Sequence, residues 1–383
     1  MRWDAQAVDE VASPPALLRL SSVVRSVQTP EFEGVTFHEV LARSALNHVP
    51  ESSLMLPGAW TINPYRGCSH ACLYCYARST HRYLDLDTGA DFDRQIVVKT
   101  NVVEVLEREL ATRKAPPGQV ALGTNTDPYQ RAEGRYALMP GIIAALARHR
   151  VPFSILTKGT LLRRDLPLLA EVNQSTPVSV AMSIAVFDDQ LQRLLEPGTP
   201  STAARLATVR QVRAAGLDCA VFLAPVLPAL TDSTAQLDDA LGQLKAAGAT
   251  SVFFTSLRLG PDVRELFLAW LAREHPALVP RYEQLYARGA RAAESYRRVL
   301  QARMSVLLRR HGLRDGAELT DDPAQGSAGR FSLSPRGVRE AAGASAGGLP
   351  GGAQSAQPAP GASVASPASP AGAGSVGTQP QLF

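Results

Sequence analysis

Residues 63–78 read Asn63-Pro-Tyr-Arg-Gly-Cys68-Ser-His-Ala-Cys72-Leu-Tyr-Cys75-Tyr76-Ala-Arg78. Three of the chain's four cysteines fall in this stretch, at the spacing C-x3-C-x2-C. Three thiolates so spaced can hold three corners of a cubane iron–sulfur cluster, whereas an electron-transfer [4Fe–4S] cluster takes four. One iron is then left open, and an open position is what a catalytic metal needs. Structural zinc is the other reading, with His70 or His81 as fourth ligand. Zinc sites usually add a second, distant ligand pair, and the sequence has none. The remaining thiol, Cys219, lies inside an apolar run and reads as a core residue.

The cysteine stretch directly follows a short β-prone run, Trp60–Asn63. Further runs of the same kind are Gln95–Lys99, Gln119–Gly123, Phe153–Thr157, Val178–Ile184, Cys219–Leu223 and Ser251–Thr255. Their continuous apolar character fits parallel strands covered on both faces. Between them lie helical patterns, including Asn101–Arg113, Pro140–His149, Thr202–Ala215 and Ser233–Ala247. Asn101 is placed as an N-cap, and Gly216 and Gly248 as left-handed helix ends. Strands alternating with helices predict an α/β fold with a parallel sheet and right-handed crossovers. An open sheet, a full barrel and a partial barrel all satisfy this count. The cysteine loop then sits at the strand ends where β/α folds build active sites.

The chain has 383 residues and a formal charge of +4. From Ala341 to Phe383 it has no charged residue and is dominated by Ala, Gly, Ser, Pro and Gln. Such a segment lacks the apolar surface that offsets ordering entropy, so 315–383 is expected to be a disordered tail. Residues 1–33 are expected to be a partly ordered extension, leaving 34–314 as the folded domain. No apolar run reaches the roughly 18 residues of a membrane helix, which argues against membrane partners. Clustered thiols without a secretory h-region predict a reducing, cytoplasmic location. Nine Arg lie between Arg281 and Arg314 against Glu283 and Glu294. This basic helix could face nucleic-acid phosphates or could be an ordinary solvated surface.

The C-x3-C-x2-C loop, with Tyr74 before its last cysteine, resembles the cluster loop of the radical SAM superfamily. Within that superfamily the sequence is similar to the spore-photoproduct-lyase-like group. The resemblance spans about residues 58–311 and includes several motifs in order: Thr80-His81-Arg-Tyr83-Leu-Asp85, Gly123-Thr-Asn-Thr-Asp127-Pro-Tyr-Gln130, Leu156-Thr-Lys158 with Arg164-Asp165, Glu196-Pro-Gly-Thr-Pro200 with Arg205, and Ala224-Pro-Val-Leu-Pro228. It implies a partial (β/α)6-type barrel with a C-terminal helical extension. It also implies that Cys68, Cys72 and Cys75 bind a [4Fe–4S] cluster whose open iron S-adenosylmethionine chelates. Reductive cleavage would give methionine and a 5′-deoxyadenosyl radical, which abstracts hydrogen from substrate.

The resemblance further implies roles for single residues. Tyr74 and Tyr76 are expected near the adenine, and Lys158, at a strand end, opposite the carboxylate of S-adenosylmethionine. Ser183 and Arg205 match positions that reach its polar groups. Asp127, Tyr129 and Gln130 are candidates for lining the substrate site, with Glu133 as a further member, although Asp127-Pro128 also reads as a turn. The expected partners are an electron donor such as a flavodoxin or ferredoxin, and a nucleic acid. The sequence departs from the repair lyase at one point. That enzyme's hydrogen-donating cysteine falls on Thr124, whose O–H bond is too strong to replace a thiol donor. Photoproduct repair is therefore not the expected reaction. A non-catalytic iron–sulfur regulator and a zinc-stabilised interaction module remain alternatives at the level of sequence.

Overall fold

A computed structural model describes residues 9–11, 22–50, 59–115 and 117–316. Its main sheet has eight strands in the order β13-β12-β11-β10-β9-β8-β5-β4. These are β4 (Leu46–His48), β5 (Trp60–Ile62), β8 (Val120–Leu122), β9 (Phe153–Thr157), β10 (Val178–Ser183), β11 (Cys219–Val226), β12 (Ser251–Ser256) and β13 (Arg314–Asp315). From β5 to β13 every neighbour is parallel, and β4 is antiparallel on β5. The edge strands β4 and β13 do not pair with each other, so the barrel is incomplete. Strands β5 and β8–β12 supply its six β/α units.

The strands read apolar on both faces because helices cover one side and the barrel interior the other. Ile155, Val180 and Val221 are buried on the face packed by the helices Leu138–Arg148 and Thr202–Ala214, within one continuous core. Helix ends follow local chemistry. Ser201 caps Thr202–Ala214 by accepting from the Ala204 amide. Ser233 and Gln236 form a reciprocal capping box at the start of Thr234–Ala246. Gly216 and Gly248 have φ of +80° and +86° as those two helices hand over to β11 and β12. Asn101 is the N-cap of Val102–Thr112 by position, but its side chain makes no cap bond. It pairs instead with both backbone groups of Ala42, at 2.7 and 3.1 Å.

A second, five-stranded sheet has the order β1-β2-β3-β7-β6, built from β1 (Asp9–Val11), β2 (Val23–Gln28), β3 (Thr36–Val40), β7 (Gln95–Lys99) and β6 (Tyr65–Arg66). One expectation changes here. The run Gln95–Lys99 is a strand, but it pairs with β3 and β6 rather than with the barrel. Its apolar continuity reports burial on both faces and says nothing about which sheet supplies the neighbours. Within residues 1–33, Val23–Gln28 pairs with Thr36–Val40 and Val27 is fully buried. A hydrogen bond of 2.6 Å between Ser26 and His38 crosses that pair.

After β12 the helices Pro261–Glu274 and Val279–Leu285 form a C-terminal extension. Phe267, Trp270, Leu271, Tyr282 and Tyr286 bury against Leu195, Leu227, Leu257 and the cysteine loop at Cys72 and Tyr74. This second core lies at the end of the barrel where the parallel strands finish. The tail from residue 317 lies outside the described residues.

Candidate active site

The cysteine loop leaves β6 through Gly67, whose φ is +80°. A side chain there would press on the Gln95 carbonyl at 2.9 Å and on the His81 ring at 3.0 Å. The loop is then held from several sides. The Cys68 amide donates to Phe92 O, and Leu73 donates to Leu195 O, both at 2.9 Å. Gly198 donates to His70 O at 3.1 Å, and a Cβ on Gly198 would fall 1.9 Å from Ser69 O. Only glycine can bring the Glu196-Pro-Gly segment this close under the loop. The fully buried Gln130 accepts from Ser69 N and donates to Gly67 O, both at 3.0 Å. Arg78, also buried, donates to Cys72 O at 3.0 Å and pairs with Asp93 at 2.8 Å.

The three thiols are unbridged, with Cys68 and Cys72 buried and Cys75 partly exposed. Burial pushes the Cys72 thiol well up, and it pushes Cys75 up to about 11, with Cys68 adding to the effect. Such thiols ionise when a bound metal supplies positive charge. Among the described residues no three His, Cys, Asp or Glu are placed to hold a single metal ion. In a cubane each thiolate takes a different iron, whereas zinc needs all its ligands on one point. His81 contacts the Gln95 carbonyl at 3.1 Å, and burial lowers its pKa. His70 lies 3.3 Å from the Asp127 carboxylate, in a charge contact rather than an aligned hydrogen bond. Burial opposes charge on His70, but Asp127 and Cys68 outweigh it and raise its pKa to about 10.

Three of the five residues expected around S-adenosylmethionine converge on one carboxylate, and a fourth, Ser183, joins them through Lys158 and Arg205. Lys158, immediately after β9, reaches Glu196 at 2.8 Å, Ser183 Oγ at 2.9 Å and the Tyr74 hydroxyl at 3.3 Å. The Tyr74 hydroxyl donates to Glu196. Arg205 pairs with the other Glu196 oxygen at 2.7 Å and donates to Ser183 O at 3.1 Å. Glu196 and Arg205 are fully buried, and the Lys158 side chain is 14% exposed. Burial alone would raise the Glu196 pKa, but Arg205 and Lys158 hold it far below the ordinary carboxylate range. The sequence reading quoted Glu196 within a motif and gave it no role. Its signal was an acidic residue followed by Pro-Gly, in a chain whose neighbouring motifs carried a lysine and an arginine. The fifth residue, Tyr76, is half exposed and donates to Thr124 O.

The three substrate candidates have internal partners. The Asp127 carboxylate accepts from Thr157 Oγ1 and Lys158 N, both at 2.5 Å, and from Tyr129 N at 2.9 Å. Tyr129 is buried with its hydroxyl on Asp165 at 3.0 Å, and Gln130 holds the cysteine loop. Glu133 is buried between Tyr65, at 2.5 Å, and Arg164, at 2.6 Å. In the basic helix Glu294–His311, Arg298 pairs with Glu294 and Arg310 with Asp238. Arg297 and Arg303 donate to the carbonyls of Ala292 and Asp232. Arg303 and Arg310 tie the helix to the rest of the protein, Arg297 ties it to the segment just before it, and Arg298–Glu294 is an exposed pair within the helix itself.

An incomplete parallel β/α barrel with a three-cysteine loop at its strand ends, backed by a buried lysine–carboxylate network, defines a cluster-dependent catalytic class. The family model of the Radical SAM superfamily matches residues 62–241, so the chain carries a radical SAM domain. It is a radical SAM enzyme, and the family works with a [4Fe–4S] cluster and S-adenosylmethionine. The chain is 57% identical over 319 residues to an uncharacterized protein of Mycobacterium tuberculosis, Rv2578c, covering 82% of this chain and 93% of the relative. An uncharacterized protein of Methanocaldococcus jannaschii, MJ0683, is 28% identical over 184 residues, covering 48% of this chain and 66% of the relative. Among solved structures, spore photoproduct lyase complexed with dinucleoside spore photoproduct superposes with a TM-score of 0.50 at 15% identity. That match covers 72% of this chain and 79% of the lyase, and it is a likeness of fold. Among the described residues no helix is long and apolar enough to cross a membrane.

Proposed function

We propose that Cys68, Cys72 and Cys75 hold the cluster and that Lys158, Ser183 and Tyr74 seat the methionyl end of S-adenosylmethionine. One observation carries this reading. Tyr74, within the cysteine loop, meets Lys158 at 3.3 Å, and Lys158 meets Ser183 at 2.9 Å, so the loop that carries the three thiols is joined to the strand-end lysine at the end of the barrel where the parallel strands finish. Held by Cys68, Cys72 and Cys75, a [4Fe–4S] cluster would supply the electron for reductive cleavage of S-adenosylmethionine, and so the radical chemistry that takes hydrogen from substrate. The protein's own residues orient and exclude water. Lys158 offers an ammonium to the carboxylate, Ser183 and Tyr74 fix that ammonium, and the apolar cluster of Phe267, Trp270 and Leu271 screens the loop.

The substrate class we propose is a nucleic acid. Exposed aromatic and basic side chains support it at the same end of the barrel: Tyr76, Tyr83 and Arg258, with Arg82 paired to Asp262 beside them. Stacking faces interleaved with cations suit unpaired bases and their phosphates. Asp127, Tyr129 and Gln130 then act by shaping the loop beneath the substrate rather than by touching it. The enzyme is proposed to draw its electron from a cytoplasmic flavodoxin or ferredoxin. The test is anaerobic reconstitution with iron and sulfide, followed by reductant and S-adenosylmethionine, with 5′-deoxyadenosine as readout. Nucleic-acid and small-molecule fractions are compared for stimulation. No 5′-deoxyadenosine from a loaded, ligand-bound protein with any fraction would end this reading. Stimulation by small molecules alone would remove the nucleic acid.

A further inference from the structure

Glu196 is the best-connected side chain of the site, and its connections divide by accessibility. Arg205, on the helix Thr202–Ala214, is fully buried and meets Glu196 Oε2, Ser183 O and Thr202 Oγ1. Nothing outside the protein reaches it. Lys158 and Tyr74 meet the other oxygen, and of the two cations only Lys158 is partly open. The carboxylate itself is placed by its own segment. Gln192 Nε2 donates to Glu196 O at 3.2 Å, Thr199 Oγ1 donates to the same carbonyl at 2.9 Å, and Gly198 is packed under the cysteine loop. One short turn therefore supports both the cysteine loop and the lysine.

The charges give this arrangement a consequence. Two cations and one anion, +1 +1 −1, leave the buried group with one net positive charge, and it is presented by Lys158. Unbalanced buried charge is costly, and a ligand bringing a single carboxylate would complete it. Without Glu196 the same space would hold two adjacent cations with no anion between them, Lys158 left with Ser183 and Tyr74 and Arg205 with Ser183 O and Thr202.

We infer that Glu196 is the positioning residue of the S-adenosylmethionine seat: it neutralises Arg205 and fixes Lys158 and Tyr74, so that one directed positive charge faces the methionyl carboxylate. This rests on the reading of Lys158 given above. Glu196 acts through its neighbours and does not touch the cofactor.

The experiment uses the full chain reconstituted with cluster. Equilibrium binding of S-adenosylmethionine and of S-adenosylhomocysteine, which lacks the sulfonium charge, is measured alongside iron and sulfide content. Lys158→Met tests the underlying reading and is expected to weaken both ligands at least tenfold; unchanged binding would overturn the seat itself. Glu196→Gln is expected to weaken both ligands about tenfold and equally. Binding within twofold of wild type, with Lys158→Met impaired, overturns the role of Glu196 and leaves the seat standing. A loss confined to S-adenosylmethionine also overturns it, because Glu196 would then be acting on the sulfonium. The double variant Glu196→Gln/Arg205→Gln restores the net charge of +1 and is expected to recover part of the affinity, as coupled sites do. Should Glu196→Gln fail to load a cluster, the double variant decides: recovered loading and binding support the role, and a double as defective as the single overturns it.

Discussion

At the scale of single residues, the site separates groups that face ligand from groups that aim them. Cys72 is the cleanest member of the first kind. Its thiol is buried, it belongs to no internal ion pair, and its high pKa favours the neutral form until metal binds. Cys72→Ala is expected to leave the chain folded but to abolish both cluster loading and 5′-deoxyadenosine formation; iron content, EPR of the reduced protein and product analysis would check this. Gln130 is of the second kind. With both ends of its amide on the cysteine loop, Gln130→Leu leaves Ser69 N and Gly67 O without their partner. Buried groups stripped of a hydrogen bond cost about 1–3 kcal/mol each. The expected outcome is reduced cluster retention on gel filtration, with secondary structure by circular dichroism unchanged.

At the scale of elements, the close packing of two loops sets what can change. Gly198 passes under Ser69 with no room for a methyl group, since its Cβ would sit 1.9 Å from a backbone oxygen. Backbone cannot yield as a flexible side chain can. Gly198→Ala is therefore expected to push the Glu196 turn off the cysteine loop. Cluster content and S-adenosylmethionine affinity should fall together, whereas Gly216→Ala, with open space around its Cβ, should cost stability through its φ of +80° alone. Strand Gln95–Lys99 teaches a related point. Its pattern of burial was legible as a strand, but its membership of a second sheet depends on pairing with residues 36–40, some sixty positions earlier, and periodicity does not carry pairing.

At the scale of the whole molecule, the C-terminal helices close the end of the barrel that carries the chemistry. Trp270 is buried in the cluster that covers Cys72 and Tyr74, yet its indole N–H has no hydrogen-bond partner among the described residues. Trp270→Ala is expected to cost about 3–5 kcal/mol through the cavity it leaves. Trp270→Phe, which removes the unsatisfied donor, should cost much less. Denaturant midpoints measure the difference, and the rate of cluster bleaching in air should rise for the alanine variant. Stability should also follow pH through Glu196. Its folded pKa lies below the ordinary 4.5, so its stabilising contribution is complete above that value and is lost as pH falls below it. Urea midpoints of the metal-free protein are expected to fall as pH is lowered below about 4.5, and Glu196→Gln should flatten part of that slope.

What the sequence determined by itself was local chemistry: three cysteines at a spacing that leaves an iron open, alternating strand and helix patterns, glycine at helix ends, and a lysine at a strand terminus. Each is set by residues within a few positions of one another, so spacing and side-chain type suffice. Tertiary structure decided which of these groups meet. Lys158 and Arg205 lie 38 and 9 positions from Glu196, and Tyr74 lies 122 away, yet all three share its two oxygens. The same distance in sequence hid the internal partners of Asp127, Tyr129 and Gln130 and the bracing of the basic helix. A buried carboxylate is costly unless its partners arrive from other elements, so its role becomes visible only when the fold has brought those elements together.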